Sequence, residues 1–480
     1  MDKSEKIGKS FILISASAAI NMVIGFLTTP IITRLVDPDK YGQFSIFTLY
    51  TSLSVMVLCL GLDQSLIRYF YEKEEKRYKN SLLCKCIVLP TLLSIVFGVI
   101  TLILISQKII VFEFNLFSSV ILVVNIVIHL LYRFFSLLVR LNHNNKLYAK
   151  LQIIHKISYV GLVIIFLKLS NADSFHILAI ATFFSALICL SISFYSQRRE
   201  YVIYNFTLSG EPSYKILLKY GYPYIFSMGI TSLFQGIDKM SLNVYCTYAD
   251  VGIYSSAMTL IHIFAIIQTT FNTVWAPVSI EHYTKQPDDK DYYKRAFNII
   301  SFAMFAMGIS MILVKDVFAL ILGSKYREAA YIMPYLIFSP VMYTISETTV
   351  GGINYLKKSK YHVLIASVAC IINLSGNTIL VPLIGGKGAA ISTGFSYIVF
   401  FLMRTIIAEK FYKVGFGIKK VMIITVLTSM YALYNTFVRF NFIAIAGALI
   451  CYIVLFILYK EEANWLLKYG KNNLCKMIKP

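Results

Sequence analysis

The sequence is poor in charge, and this excludes a soluble globular protein of its length. Only 14% of the 480 residues are charged, against 58% hydrophobic residues, and a soluble chain of this size needs more charge to cover its surface. The mean hydropathy of +0.69 is typical of polytopic membrane proteins. The formal net charge of +21 does not indicate a nucleic-acid partner, because the cations recur in short patches between apolar runs.

The sequence also lacks the motifs of metal sites and of several enzyme classes. Its eight cysteines are scattered, and Cys84 and Cys86 form a C-x-C without a second pair or histidines at metal spacing. The run GKS at positions 8–10 has Lys3 where a phosphate loop requires glycine. Neither H-E-x-x-H nor G-x-S-x-G occurs. We therefore expect no enzyme, no cofactor and no metal.

What the chain does have is a series of apolar runs, each near the roughly 20 residues that a helix needs to cross a bilayer. They predict an all-α membrane protein with about fourteen spans, and a count of twelve stays open. The first run is interpreted as a retained span rather than a signal peptide. The predicted spans are 11–34, 42–64, 81–106, 109–132, 150–168, 174–196, 220–245, 251–278, 296–315, 328–349, 361–382, 386–407, 421–438 and 441–459.

Lysine and arginine are distributed unequally between the two sets of loops. With the amino terminus inside and residues at span ends assigned to the nearer side, 33 of the 45 lie on the cytoplasmic side and 9 lie outside. The other three, Lys85, Lys156 and Lys239, fall within spans. By the positive-inside rule, this predicts that both termini are cytoplasmic.

The two halves of the chain look related. YGQFS at 41–45 begins the second span and VGIYS at 251–255 begins the eighth, each after a polar outer turn. Both halves start inside, which predicts a parallel duplication. The predicted domains are an amino-terminal bundle of six spans, a cytoplasmic linker, a second bundle of six, and two further spans with a basic cytoplasmic tail. Their bounds are 1–196, 197–219, 220–407 and 408–480.

Four stretches carry a family resemblance over essentially the whole chain. They are SFILISASAAINMVIGFLTTPIITRLVDPDKYGQFSIF, GLDQSLIRYFYE, GIDKMSLNVYCTYADVGIYSSAMTL and NLSGNTILVPLIGGKGAAISTGFSY. They resemble bacterial polysaccharide transporters of the oligosaccharide (O-antigen type) flippase family. The resemblance implies the multidrug/oligosaccharidyl-lipid/polysaccharide exporter fold, with two six-helix bundles in a V around a central cavity.

The resemblance also implies a function. A flippase of this family moves an undecaprenyl-diphosphate-linked oligosaccharide, for O-antigen, capsule or exopolysaccharide, from the inner to the outer leaflet of the bacterial plasma (inner) membrane by alternating access. The implied partners are this lipid-linked glycan, the bilayer, a polysaccharide polymerase and chain-length machinery.

Charged residues within spans are the sharpest functional signal, because each costs roughly 2.5–3.5 kcal/mol at a helix centre. Lys239 is the predicted ligand of the diphosphate, with Gln235 and Asn243 one turn away on the same face. Its alternative is snorkelling to the outer interface. Lys156 and Arg34 are further candidates for binding the phosphates, and interfacial anchoring is the alternative for both.

Three carboxylates are candidates for gating or ion coupling. Asp63 has Arg68 as its nearest base in the sequence, and Asp238 is expected to bond a neighbouring helix. Glu347 closes the tenth span. A structural role is the alternative for Asp63 and Glu347. Lys85 is expected at the inner interface.

Two other functions stay open. A multidrug/cation antiporter of the same superfamily would bind its cargo with carboxylates, whereas the predicted core holds about as many lysines as acids. A membrane polysaccharide polymerase or lipid-sugar transferase usually has a sizeable outer loop, and no predicted outer loop here is long enough.

Overall fold

A computed structural model of the protein describes residues 20, 23–109, 113–170, 172–198 and 211–464. These residues form α-helices and one 3₁₀ helix, and no β-strand occurs among them. The predicted all-α class is therefore confirmed.

The helices follow the apolar runs of the sequence. Their bounds are α1 Val23–Leu35, α2 Pro38–Leu58, α3 Leu62–Tyr69, α4 Lys76–Ser106, α5 Leu116–Leu141, α6 Asn145–Leu169, α7 Ser174–Gln197, α8 Tyr214–Tyr245, α9 Tyr248–Ile261, α10 Ile263–Lys285, α11 Lys290–Leu313, α12 Lys315–Ile321, the 3₁₀ helix Ser324–Tyr326, α13 Ala329–Leu336, α14 Phe338–Thr349, α15 Gly351–Tyr355, α16 Lys360–Ile384, α17 Gly386–Phe411, α18 Ile418–Phe437 and α19 Phe442–Leu458.

Each predicted span coincides with one helix or with two consecutive helices. Within the described residues, eight helices are long and apolar enough to cross a membrane, or up to ten if each bent pair is one span. The count of fourteen thus stays a prediction. Most of the first predicted span, at 11–19 and 21–22, lies outside the described residues.

The chain forms two compact units. The first comprises Met1–Thr28 and Lys40–Gly236, and the second comprises Thr29–Asp39 and Ile237–Pro480. The division falls inside α8, whereas the predicted domains divide at 197–219, of which 199–210 lie outside the described part of the chain. The predicted domain bounds stay a prediction.

The starts of α2 and α9 have the same local structure. Helix α1 ends at Leu35 and α2 begins at Pro38, while α8 ends at Tyr245 and α9 begins at Tyr248, an offset of 210 at both positions. In each case two non-helical residues separate the helices. The pairs α2–α3 and α9–α10 are also both bent by more than 40°. These correspondences support the parallel duplication.

Within the second unit, the end of α1 and the turn after it pack closely against the segment after α12. The Gly323 amide donates to Thr33 Oγ1 at 3.2 Å, and the Tyr326 hydroxyl donates to the Val36 carbonyl at 2.9 Å. A Cβ at position 323 would lie 2.0 Å from the Thr33 carbonyl oxygen, so this approach requires glycine. The proline- and aspartate-rich turn is thus fixed in place by tertiary contacts.

In the first unit, an ion pair fixes the start of α7. Lys40 donates to Asp173 Oδ2 at 2.8 Å, and Asp173 caps the helix by accepting from the Phe175 amide at 3.1 Å. Partial burial acts to raise the pKa of Asp173, but these two bonds outweigh it and lower that pKa below its ordinary value.

Each unit has its own buried core. In the first, the rings of Phe47, Phe114 and Phe175 pack together with centroids 5.5–6.1 Å apart. In the second, the largest fully buried side chains include Tyr254 and Phe401. Many other large apolar side chains are exposed, which suits a membrane protein because lipid tails are as apolar as the side chains they contact.

Candidate functional site

A backbone break places Asp63 at the start of α3 in the first unit. Leu60 and Gly61 before it have positive φ angles of 51° and 67°. A Cβ on Gly61 would lie 2.1 Å from the Gly221 carbonyl oxygen, so glycine allows α8 to approach this turn. The break lets α3 start in a new direction.

Asp63 is buried and paired with Arg133 of α5. The arginine donates to Oδ2 from Nη2 at 2.5 Å and from Nε at 3.2 Å. Arg68, the nearest base in the sequence, pairs instead with Glu72 at 3.3 Å. Asp63 therefore has a cationic partner from another helix, and a role in gating or ion coupling stays a prediction for it.

A polar cavity of about 260 Å³ opens beside this pair in the first unit. It is lined by Thr48, Thr51, Ser52, Val55, His129, Arg133 and Thr182. Every lining hydroxyl group donates its hydrogen to a carbonyl of its own helix, so its oxygen lone pairs remain available. The Arg133 side chain is 41% exposed and has N–H groups beyond those that bind Asp63. The cavity can therefore both accept and donate hydrogen bonds.

The lysines of the first unit lie in different surroundings. Lys156 on α6 is half-buried, and among the described residues it makes no ion pair or hydrogen bond. Its neighbour His155 stacks on the Tyr132 ring with centroids 5.6 Å apart. Lys85 is buried within the protein and donates to the Pro212 carbonyl at 3.0 Å, and its expected place at the inner interface stays a prediction.

In the second unit, Asp238 is the centre of a buried hydrogen-bond network. Its side chain accepts at Oδ2 from the hydroxyls of Tyr254 and Thr393, both at 2.6 Å, and at Oδ1 from Asn377 Nδ2 at 2.7 Å. The residue is 2% exposed. Because the donors come from α9, α17 and α16, one carboxylate of α8 joins four helices. As expected from the sequence, Asp238 bonds neighbouring helices.

Neutral amides extend this network. Asn377 Nδ2 also donates to Asn373 Oδ1 at 2.5 Å, and Asn373 Nδ2 donates to Thr393 Oγ1 at 3.0 Å. The Asn377 Oδ1 atom is buried without a hydrogen-bond partner. In the described part of the chain, Asp238 forms no ion pair with a lysine or arginine. An unneutralised carboxylate beside a spare amide oxygen has the chemistry to take up a proton or a hard cation.

Lys239 follows Asp238 on α8. Gln235 and Asn243 lie four residues to either side of it, so the helix places all three on one face. Gln235 is exposed, and Lys239 and Asn243 are half-buried. Lys239 makes no hydrogen bond or ion pair with the described residues. Binding of a diphosphate by these residues stays a prediction.

Glu347 forms a buried ion pair with Arg404, which joins α14 to α17. Arg404 Nη1 donates to Glu347 Oε1 at 2.7 Å and to Ser346 Oγ at 2.8 Å. The guanidinium carbon lies 5.4 Å from the Tyr343 ring centroid and 5.5 Å from that of Phe400. The side chains of the pair are only 8% and 7% exposed. A gating role for Glu347 stays a prediction, and its observed contacts link two helices.

Arg34 lies on the exposed surface near the end of α1. Its Nη2 donates to the carbonyl of Ile321, at the end of α12, at 3.2 Å. Lys325 forms an ion pair with Asp37 in the same region. The guanidinium group of Arg34 has further N–H donors besides the one that binds Ile321. Contact of Arg34 with phosphates stays a prediction.

A second, apolar cavity of about 410 Å³ opens in the second unit. Its lining comes from α13, α16, α17 and α18 and includes Leu380, Phe395 and Met430. Such a lining fits an alkyl or prenyl chain better than a sugar.

Several partner residues were missed from the sequence. Arg133 lies one residue beyond the predicted end of the fourth span, and Arg404 lies near the inner end of the twelfth. Asn373 and Asn377 were visible within the run NLSGN. Two asparagines four residues apart in an apolar helix share a face and require polar partners, so their spacing was a usable signal.

Solved transporter structures share this fold. A structure described as the lipid II flippase MurJ in an inward closed conformation has a TM-score of 0.70 and 15% identity, covering 95% of this chain and 99% of its own. Two structures of a multidrug resistance MATE family transporter of the MOP superfamily both have TM-scores of 0.57. The outward-facing structure is 13% identical and covers 85% of this chain and 96% of its own. The inward-facing structure is 14% identical and covers 82% of this chain and 94% of its own.

The fold is therefore that of the multidrug/oligosaccharidyl-lipid/polysaccharide exporter superfamily, and the protein is a multi-pass membrane protein. The sequence profile of the polysaccharide biosynthesis protein family matches residues 7–283, which is more than half of the chain. The chain belongs to this family, and the resemblance found in its sequence is confirmed. No curated protein matches it.

Proposed function

We propose that this protein is a flippase that moves an undecaprenyl-diphosphate-linked oligosaccharide from the inner to the outer leaflet of the bacterial plasma membrane. Membership of the polysaccharide biosynthesis family is the observation that carries the proposal. The likeness to a lipid II flippase over nearly the whole chain supports it, since that protein's substrate is also a lipid. Both termini are cytoplasmic in this proposal, as the distribution of lysine and arginine predicts.

The cargo has three chemically different parts, and the chain offers a counterpart for each. Lys239, with Gln235 and Asn243, attracts the diphosphate, and Lys156 and Arg34 are further cations for it. The polar cavity beside Arg133 offers hydrogen bonds to sugar hydroxyls. The apolar cavity of the second unit offers a surface to the prenyl chain.

Asp238 is the proposed ion-coupling residue. Its donors are neutral hydroxyl and amide groups, whereas Asp63 and Glu347 each face an arginine. Arginine already neutralises those two carboxylates, so Asp238 is the one of the three that gains most from binding a proton or a sodium ion. The membrane potential also contributes, because a negative interior favours outward movement of an anion by about 2.3 kcal/mol per charge per 100 mV.

A reconstituted transport assay tests the proposal. The purified protein is placed in liposomes with a fluorescent undecaprenyl-diphosphate oligosaccharide, and exchange between leaflets is followed by quenching from outside. We expect exchange that is faster than in protein-free liposomes and that responds to a proton or sodium gradient. Exchange at the protein-free rate would contradict the proposed function.

Asp238→Asn isolates the coupling step. Asparagine keeps the size of the side chain and removes the charge, so we expect exchange to lose its response to the gradient. Asp291→Asn, at an exposed aspartate in the first turn of α11, is the matched control and should keep the wild-type response. A gradient response that survives in Asp238→Asn would overturn the assignment of Asp238.

A multidrug/cation antiporter is the second candidate function, favoured by the likeness to MATE transporters. It predicts that cells expressing the protein resist cationic dyes such as ethidium. We expect no resistance, and resistance without glycan transport would favour this alternative.

A further inference from the structure

At one end of the second unit, three cations converge on one tyrosine. Lys315 Nζ lies 4.8 Å and Lys387 Nζ 4.9 Å from the ring centroid of Tyr331. Arg439 donates from Nε to the Tyr331 hydroxyl at 3.0 Å. The four residues, named the Tyr331 cluster below, come from α12, α13, α17 and the connection between α18 and α19. Separate segments of the chain are thus brought together to place positive charge at one point.

Within the described residues, one of the three cations of the cluster forms an ion pair. Asp316 accepts from Lys315 at 2.9 Å and from the Phe440 amide at 3.2 Å. Lys315 is only 1% exposed, so this carboxylate is the counter-ion of a buried ammonium group. Among the described residues, Lys387 and Arg439 form no ion pair, although Asp250 and Glu328 line the same cavity as Lys387. Both cations therefore keep N–H groups that can bind a ligand.

The position of the cluster makes this convergence of cations unusual. The predicted topology places only nine of the 45 lysines and arginines outside, and three of those nine lie in the Tyr331 cluster. The positive-inside rule disfavours cations on this side, so topology does not account for their convergence. Like charges held close together repel, and a bound anion relieves that repulsion.

Exposed apolar side chains lie beside the cluster or next to its residues along the chain. Lys387 Nζ lies 5.2 Å from the ring centroid of Phe437. The side chains of Phe437, Phe440, Val317 and Leu320 are all exposed. A charged centre beside exposed apolar side chains matches a ligand with an anionic head and a hydrocarbon tail better than a soluble anion.

We propose that the Tyr331 cluster is a binding site for the phosphate of an anionic lipid in the outer leaflet. Lys387 and Arg439 donate charge-assisted hydrogen bonds to the phosphate oxygens. Tyr331 contacts both side chains, Lys387 through its ring and Arg439 through its hydroxyl group. A phospholipid and a prenyl diphosphate both carry this chemistry. The site does not depend on transport, since phospholipid binding needs no flippase activity.

Lipid binding in nanodiscs tests the site. The full-length protein is placed in phosphatidylcholine nanodiscs, and phosphatidylglycerol or undecaprenyl diphosphate is titrated in, with bound lipid counted by native mass spectrometry. We expect K387Q with R439Q to weaken binding of at least one of the two lipids about tenfold or more. Both substitutions change side chains that are partly or fully exposed. The thermal unfolding of the double variant should therefore match that of the wild type.

Arg327→Gln is the matched control, because Arg327 is an exposed cation in the same unit outside the cluster. It should leave both affinities unchanged. Weaker binding of both lipids to the double variant would support a general phosphate site. Weaker binding of undecaprenyl diphosphate alone would support a site selective for the prenyl diphosphate. Unchanged binding of both lipids in the double variant, or equal loss in Arg327→Gln, would overturn the proposal. Glycan exchange in the liposome assay is a separate measurement that tests the function independently.

Discussion

Replacing Arg404 by methionine removes the cation from a buried ion pair and leaves its partner in place. Glu347 is 8% exposed and accepts from Arg404 at 2.7 Å, so the substitution leaves a carboxylate with little access to water. Removing one partner of such a pair costs about 3–5 kcal/mol. Contacts with the Tyr343 and Phe400 rings are lost as well. We expect the free energy of unfolding to fall by at least about 3 kcal/mol, which is more than a hundredfold in the unfolding equilibrium.

The paired substitution separates the charge from the packing. When Glu347→Met accompanies Arg404→Met, no buried charge is left unpaired, and two apolar side chains of similar volume occupy the space. Such replacements are often neutral or stabilising. We therefore expect the double variant to recover most of the stability lost in the single variant.

Buried cysteines make unfolding of the protein measurable by thiol labelling. Cys59, Cys86, Cys189 and Cys451 are buried free thiols, so a thiol-reactive fluorogenic dye reports when the helices separate. Arg140→Met is the matched control, because Arg140 is exposed at the end of α5. The free energy of unfolding of this variant should stay within about 0.5 kcal/mol of the wild type. Wild-type stability in Arg404→Met, or a double variant as unstable as the single one, would refute the reasoning. A stable double variant that no longer transports would instead support a gating role for Glu347.

Three further predictions concern other charged residues. Arg133→Met should destabilise the first unit by about 1–3 kcal/mol, because buried Asp63 loses the donor that pairs with it while Arg133 itself is 41% exposed. Comparing the thermal unfolding of Arg133→Met with that of Asp63→Asn/Arg133→Met measures this. Lys239→Ala should abolish surface glycan at a normal protein level and Lys239→Arg should be milder; normal glycan in Lys239→Ala would defeat the diphosphate assignment. Cysteine introduced at Asp39 should be labelled from outside the cell and at Lys76 only from inside, and the reverse pattern would overturn the predicted topology.

The polar network around Asp238 shows how far sequence reasoning reaches within a helix. The cost of a charge in an apolar span identified Asp238 as a residue that needs partners. The partners themselves lie far along the chain, with Asn377 139 residues away and Thr393 155 residues away. No local pattern connects residues at such separations, because the connection depends on which helices pack together and how each is rotated about its axis.

The sequence by itself determined the membrane class, the all-α architecture and the approximate position of the long helices, because these follow from hydropathy along consecutive residues. It also placed the matching breaks before α2 and α9, since turn residues act locally. Only the tertiary structure decided that Asp63 pairs with Arg133 rather than Arg68, that Lys85 is buried, and that three distant cations meet at Tyr331. The physical reason is that a charge takes as its partner the group that packing brings within hydrogen-bond reach, and this distance is set by the fold rather than by separation along the chain.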